Sequence, residues 1–167
     1  AALAELAAYH GVEHKAIAAY ERHLATPGGW ADDSLHACIN MADCYKRLGD
    51  GERELDALFR SFRYGKPRAE ALCRIGQHFQ RRKNYRTAVY WHELALRTPP
   101  DPDQWSFSYP AYYTWFPNLQ LCICHYYLGD YEASNRHNEA AATYVPDSPH
   151  VVHNRSLLAS KIKALPT

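Results

Sequence analysis

The chain has 167 residues, 47% of them hydrophobic and 22% charged, a balance that supports one buried core and excludes a disordered or low-complexity polymer. Nineteen Lys and Arg stand against eighteen Asp and Glu, so no global field exists to hold a nucleic-acid backbone or an anionic lipid surface. No apolar run approaches bilayer-spanning length and no basic n-region precedes one. The five cysteines, Cys38, Cys44, Cys73, Cys122 and Cys124, form an odd set within apolar stretches, which reads as the reduced thiols of a cytoplasmic protein.

In chain order, Ala1 to Tyr9 already reads as helix and begins without an initiator Met, so a fragment of a longer protein is expected. Helix punctuation then divides the chain. Asp33-Ser34, Asn84 and Asp130 are candidate N-caps, Gly49 and Gly129 candidate left-handed C-caps, and Pro27, Pro67, Pro99 and Pro146 fall in connections. The expected organisation is an all-α single domain of about nine helices. It comprises a partial unit over about 1–26, full units over about 33–64, 67–98 and 114–145, and a terminal helix over about 149–164. An irregular, aromatic insertion spans about 99–113. The terminal helix sets Lys161 and Lys163 opposite Val152, Leu157, Leu158, Ile162 and Leu165, the pattern of a polar-faced cap.

The units repeat. Leu48-Gly49-Asp50 returns as Leu128-Gly129-Asp130, and the small residues Ala42 and Gly76 are 34 apart. The next equivalent, Cys122, follows 46 residues later, which is the same period plus a 12-residue insertion. A helix-turn-helix unit of about 34 residues is the period of the tetratricopeptide repeat. Its first-helix pattern fits Cys38, Met41, Ala42 and Tyr45, then Leu72, Ile75, Gly76 and Phe79, and more loosely Asn118, Leu121, Cys122 and His125. Its second-helix pair falls on Ala16 with Tyr20, Glu54 with Leu58, Ala88 with His92 and Ser134 with Asn138. The expected fold is therefore a superhelix of antiparallel helix pairs, with small residues permitting close helix approach.

First helices of such units line a concave face. The candidate groove residues are Asn40, Asp43, Lys46 and Arg47 from one unit, Arg74, Gln77 and Arg81 from the next, and Gln120, Ile123, Tyr126 and Tyr127 from the third. Four cations against one carboxylate in that set point to an acidic or C-terminal carboxylate peptide, which guanidinium groups pair bidentately; the competing reading is a solvated face with internal ion pairs. The insertion offers Trp105, Phe107, Tyr109, Tyr112 and Tyr113. These rings either cover a seam between units or contact a partner.

Other constellations point away from chemistry. Cys122 and Cys124, two apart on a helix, diverge too far to ligate one metal together. His10 with His14, and His150 with His153, have pairwise ligand spacing but no third ligand in sight. Asp101-Pro102-Asp103 spells Asp-x-Asp, yet sits in a Pro-rich connection where a turn is expected. No strand-turn-helix elbow exists to hold a nucleophile. No catalytic, cofactor-binding or metal residue is assigned to this segment.

One stretch is more specific than a generic repeat: Trp115-Phe116-Pro117-Asn118-Leu119-Gln120-Leu121-Cys122-Ile123-Cys124, then Tyr127-Leu128-Gly129-Asp130-Tyr131-Glu132 and His137-Asn138-Glu139-Ala140-Ala141. With Pro67 to Cys73, Ala88 to Ala95 and Val152 to Arg155, it resembles the tetratricopeptide region that follows the catalytic domain of bacterial family 2 (GT-A type) glycosyltransferases. The resemblance implies a parent enzyme whose separate α/β domain uses a nucleotide-sugar and a divalent metal. It implies for this segment a non-catalytic docking or self-association role that positions an acceptor or partner. The alternatives are a free-standing adaptor binding a peptide in its groove, and a regulatory repeat protein whose aromatic insertion senses a partner. Expected partners are a protein, a peptide or a second copy of the chain, with neither nucleic acid nor membrane.

Overall fold

The computed structural model describes residues 2–103 and 109–163. Eight α-helices occur among them: α1 (Ala2–Ala25), α2 (Ala31–Arg47), α3 (Gly51–Arg60), α4 (Ala69–Arg81), α5 (Tyr85–Arg97), α6 (Trp115–Tyr127), α7 (Tyr131–Ala142) and α8 (Pro149–Lys163). Short 3-10 turns lie at Ser61–Arg63 and Pro110–Tyr113, and no strand occurs among the described residues. The count is eight, not nine, because Ala2–Ala25 runs as one helix. Gly11 in its middle does not break it: a helical glycine costs only about 1 kcal/mol, and this run is rich in alanine.

The helices gather into two compact bodies, one ending at Pro67 with α1 to α3 and one beginning at Arg68 with α4 to α8. In the first, α2 packs on both α1 and α3. Its core is Leu35, Cys38, Ile39, Met41 and Ala42 of α2 with Ala57 and Leu58 of α3, and α1 contributes Ile17. Two long-range ion pairs join these helices, Arg47 to Glu13 at 2.8 Å and Arg60 to Glu21 at 2.9 Å. In the second body α4 packs on α5, α5 on α6, α6 on α7 and α7 on α8.

Each of three helix pairs is closed by the same turn. The N–H of Asp50 donates to Tyr45 O, that of Asn84 to Phe79 O and that of Asp130 to His125 O, at 2.9 to 3.0 Å. This is the six-to-one bond of a Schellman motif, whose preceding residue must be left-handed. Gly49 and Gly129 fill that position at φ +76° and +80°, and Lys83 fills it at +59°. Asp50, Asn84 and Asp130 then cap the next helix, accepting from the N–H groups of Arg53, Thr87 and Ala133. Asp33 and Ser34 do not cap. Helix α2 starts at Ala31, so they lie inside its first turn, where the Asp33 carboxylate favours the positive end of the helix dipole.

The second-helix positions 54 and 58, 88 and 92, and 134 and 138 are all buried. Between α4 and α5 the approach is closest. A Cβ on Gly76 would stand 2.6 Å from the His92 ring, so only glycine leaves room for it. The ring is fully buried, its Nε2 lies 3.2 Å from Gln80 Oε1, and its Nδ1 has no partner. Gln80 extends the network into α6, its amide donating to Gln120 Oε1 at 3.1 Å and its oxygen accepting from Cys124 Sγ.

The terminal helix buries only part of the apolar set expected of it: Leu158 is inside as expected, joined by Val151. Val151 and Leu158 are buried, while Val152, Leu157 and Ile162 are exposed; Leu165 lies outside the described residues. Asn138 decides this orientation by donating to Val151 O at 3.1 Å and accepting from Asn154 at 3.1 Å.

Two substitutions in the second body have opposite expected signs in urea unfolding. Lys83→Gly relieves a left-handed non-glycine residue and stabilises by about 1 kcal/mol. Gly76→Ala gains about 1 kcal/mol of helix propensity but overpacks an immobile ring, for a net loss of about 1–2 kcal/mol. An unchanged midpoint for either variant contradicts the corresponding contact.

Candidate functional site

Two of the four predicted groove cations, Arg47 and Arg74, are held in ion pairs. Arg47 grips Glu13 through Nε and a terminal nitrogen at 2.8 and 2.9 Å, holding that carboxyl below the usual carboxylate range. Arg74 donates to Glu70 at 3.2 Å and to the Tyr112 hydroxyl at 3.3 Å, with its guanidinium 5.5 Å from the Tyr112 ring centre. Asn40 and Lys46 are exposed and Asp43 is half-buried. Asn40 lines a shallow cleft in the first body with Tyr20, His23, Asp33 and His36. In the second body Gln77 is half-buried and Arg81 exposed.

The described part of the insertion folds onto the second body. Tyr112 packs edge-on against Phe116 at 5.1 Å and Cys73 Sγ contacts its carbonyl at 3.9 Å. Tyr113 is half-buried and Tyr109 is exposed. Trp105 and Phe107 lie outside the described residues. Asp101 accepts from the Asp103 N–H at 3.0 Å, the Asx turn that short polar side chains form in loops.

The remaining predicted residues, Gln120, Ile123, Tyr126 and Tyr127, do come together, and they do so against α8. Two cavities lie along this seam. One, of about 260 Å³, is lined by Ile123, Tyr126 and Tyr127 of α6 and by His153, Asn154, Leu157 and Leu158 of α8, with Cys122 and Ser134 also lining it. The other, of about 310 Å³, is lined by Trp115, Phe116, Leu119, Gln120 and Ile123 with His150 and Asn154. Sharing Ile123 and Asn154, they form one trough.

Its aromatic end is ordered by stacking. Tyr127 lies parallel to Tyr85 of α5 at 4.9 Å, Tyr126 meets Tyr131 of α7 at 5.5 Å, and Lys161 Nζ sits 5.9 Å from the Tyr131 ring centre. Tyr127 nevertheless keeps 62% of its surface exposed. At the floor, Ser134 donates to Cys122 O at 2.7 Å. The α8 wall, His150, His153, Asn154 and Leu157, was missed from sequence because the terminal helix was read as a cap.

Burial pushes every thiol up, Cys38 and Cys44 to about 11 and Cys124 to about 12, which suppresses the nucleophilic thiolate. Cys122 and Cys124 face different neighbours, Ser134 and Gln80. Among the described residues no three His, Cys, Asp or Glu side chains converge to hold a metal ion, and no helix is long and apolar enough to cross a membrane. No protein-family model matches the chain, and no curated protein matches it.

Two histidines beside this region are held neutral. Burial lowers His92 to about 4. Burial first, then the charges of His125 and Arg136, lower His137 to about 4; its ring stacks on His125 at 5.5 Å and its Nδ1 bonds Asn118 Oδ1 at 2.9 Å. An unfolded chain takes up these protons near pH 6.5, and the folded chain refuses them until about pH 4. Stability contributed by the neutral rings is thus complete above pH 6.5 and is lost progressively as pH falls toward 4. The urea midpoint should drop between pH 6.5 and 5, where carboxylates stay ionised; a flat profile there contradicts the burial of both rings.

Proposed function

We propose that this chain is a tetratricopeptide-type module that binds a protein segment and performs no chemistry of its own. The observation that carries the reading is the α6–α8 trough, an open apolar seam flanked by aromatic rings and a few polar groups, the composition of a recognition surface. Support for the repeat class comes from the three helix pairs closed by one kind of turn and from the buried positions they share. The suppressed thiols favour binding over nucleophilic chemistry.

The resemblance of residues 115–141 to the region following a bacterial family 2 catalytic domain supports a further step. In this reading the module is cytoplasmic and belongs to a glycosyltransferase, where it brings an acceptor, a partner or a second copy of the chain close to the catalytic domain. Nucleotide-sugar and metal would be held by that domain.

Binding is tested by selecting from a random peptide library displayed on phage. Enriched peptides should lose binding to an Ile123→Glu, Leu157→Glu variant that keeps its helical circular dichroism. They should retain binding to Arg53→Ala, a change at an exposed site in α3. No enrichment, or enrichment indifferent to the trough, overturns the reading.

A further inference from the structure

Two helices expose faces that their counterparts in the repeat bury. The first-helix positions Cys38 and Ala42, Leu72 and Gly76, and Asn118 and Cys122 are all buried. Their cover is the second helix: Asn118 bonds His137, Cys122 meets Ser134 and Gly76 meets His92. The same period of 34 carries Asn118, Cys122 and His125 onto Val152, Ser156 and Ala159 of α8. No described element covers this stripe. Val152 is 55% exposed, and Ser156 and Ala159 are exposed with Lys163 one turn further along the same face. Helix α8 is thus a first helix whose second-helix seat is open.

Helix α1 has the opposite vacancy. Tyr20 precedes the start of α2 at Ala31 by as many residues as Leu58 precedes Ala69 and Asn138 precedes Pro149, which makes α1 a second helix. The counterparts of its Ala16 and Tyr20 are buried in α3, α5 and α7, yet these two are only half-buried. Tyr9 and Val12, 44% and 64% exposed, share their face, and Glu5 continues it toward the N-terminal end.

We infer that copies of this chain associate head to tail, with α8 of one copy seated on α1 of the next so that two half-units complete one helix pair. This rests on the reading of the chain as a helical repeat. The fit between the two stripes selects a second copy as the occupant. First and second helices run antiparallel, so Val152 and Ser156 meet Tyr20 and Ala16, while Lys163 in the last turn of α8 reaches Glu5 in the first turn of α1. Ser156 over Ala16 allows the close approach that Cys122 and Ser134 already make.

Neighbouring charges are engaged elsewhere or point away. Arg155 is held by Glu139 at 2.7 and 2.8 Å, and Lys161 lies over the ring of Tyr131, next in sequence to Glu132. Lys15 of α1 points about 100° away from Ala16. The α6–α8 trough is lined by other residues of α8 and is a separate surface.

Because the two contributing surfaces differ, such a contact does not close at two copies. In sedimentation velocity on the full chain, the average mass should rise past that of a dimer as concentration increases. Val12→Glu and Val152→Glu, each at an exposed position and each keeping its helical circular dichroism, should both remain monomeric. Mixing the two variants joins the one intact α8 face to the one intact α1 face and should give a dimer and nothing larger. Lys163→Glu should weaken association about fivefold, and adding Glu5→Lys should restore it.

A monomer at every concentration overturns the inference, as does a wild-type dimer that grows no further or a mixture of variants that stays monomeric. Charge variants without effect overturn the antiparallel register. None of these outcomes touches the trough, whose peptide selection is read independently.

Discussion

The fold depends on how each helix pair is closed. A left-handed residue lets the chain reverse immediately after a helix, and the following Asp or Asn both donates its N–H back to the helix and accepts from the next one. Asp50, Asn84 and Asp130 perform this double task with nearly equal geometry. Because the second helix starts within three residues of the end of the first, the two must lie antiparallel and in contact. The packing that follows, Gly76 against His92 most of all, exploits a register that the turn has already set.

The second body shows how that register produces a surface. Pairing of α6 with α7 points Leu121, Cys122 and Cys124 inward, which leaves Ile123, Tyr126 and Tyr127 at the edge by helical geometry. Helix α8 then docks through few contacts. Burial of Val151 and Leu158 contributes roughly 1.5–3 kcal/mol each, and the buried Asn138 bonds Val151 O and Asn154. The Arg155–Glu139 pair is exposed on both sides, so solvent screens it and it adds little. So sparse an attachment leaves the α6 side of α8 uncovered, and the trough is the result.

Much of the helical frame was legible because local signals carried it. Asn84 and Asp130 cap as expected from residue type and position, and Gly49 and Gly129 end helices as expected. The third turn was hidden because Lys83 stands where glycine stands in the other two. The face of α8 was read only in part for a specific reason: Val151 and Val152, and Leu157 and Leu158, are adjacent apolar pairs, so two faces about 100° apart compete. Only packing against Asn138 chooses between them. The Arg47–Glu13 pair, 34 residues apart, has no local signal, whereas Arg74 and Glu70 stand at i, i+4 and could have been paired from spacing alone.

The turn geometry is open to direct measurement by amide hydrogen exchange, resolved by residue, on the whole chain. If the six-to-one bonds close the helix pairs, the amides of Asp50, Asn84 and Asp130 exchange as slowly as helix interiors, although each lies between helices. Exchange of these three amides at the rate of free loops would contradict the account, because the turn would then not set the register that the packing uses.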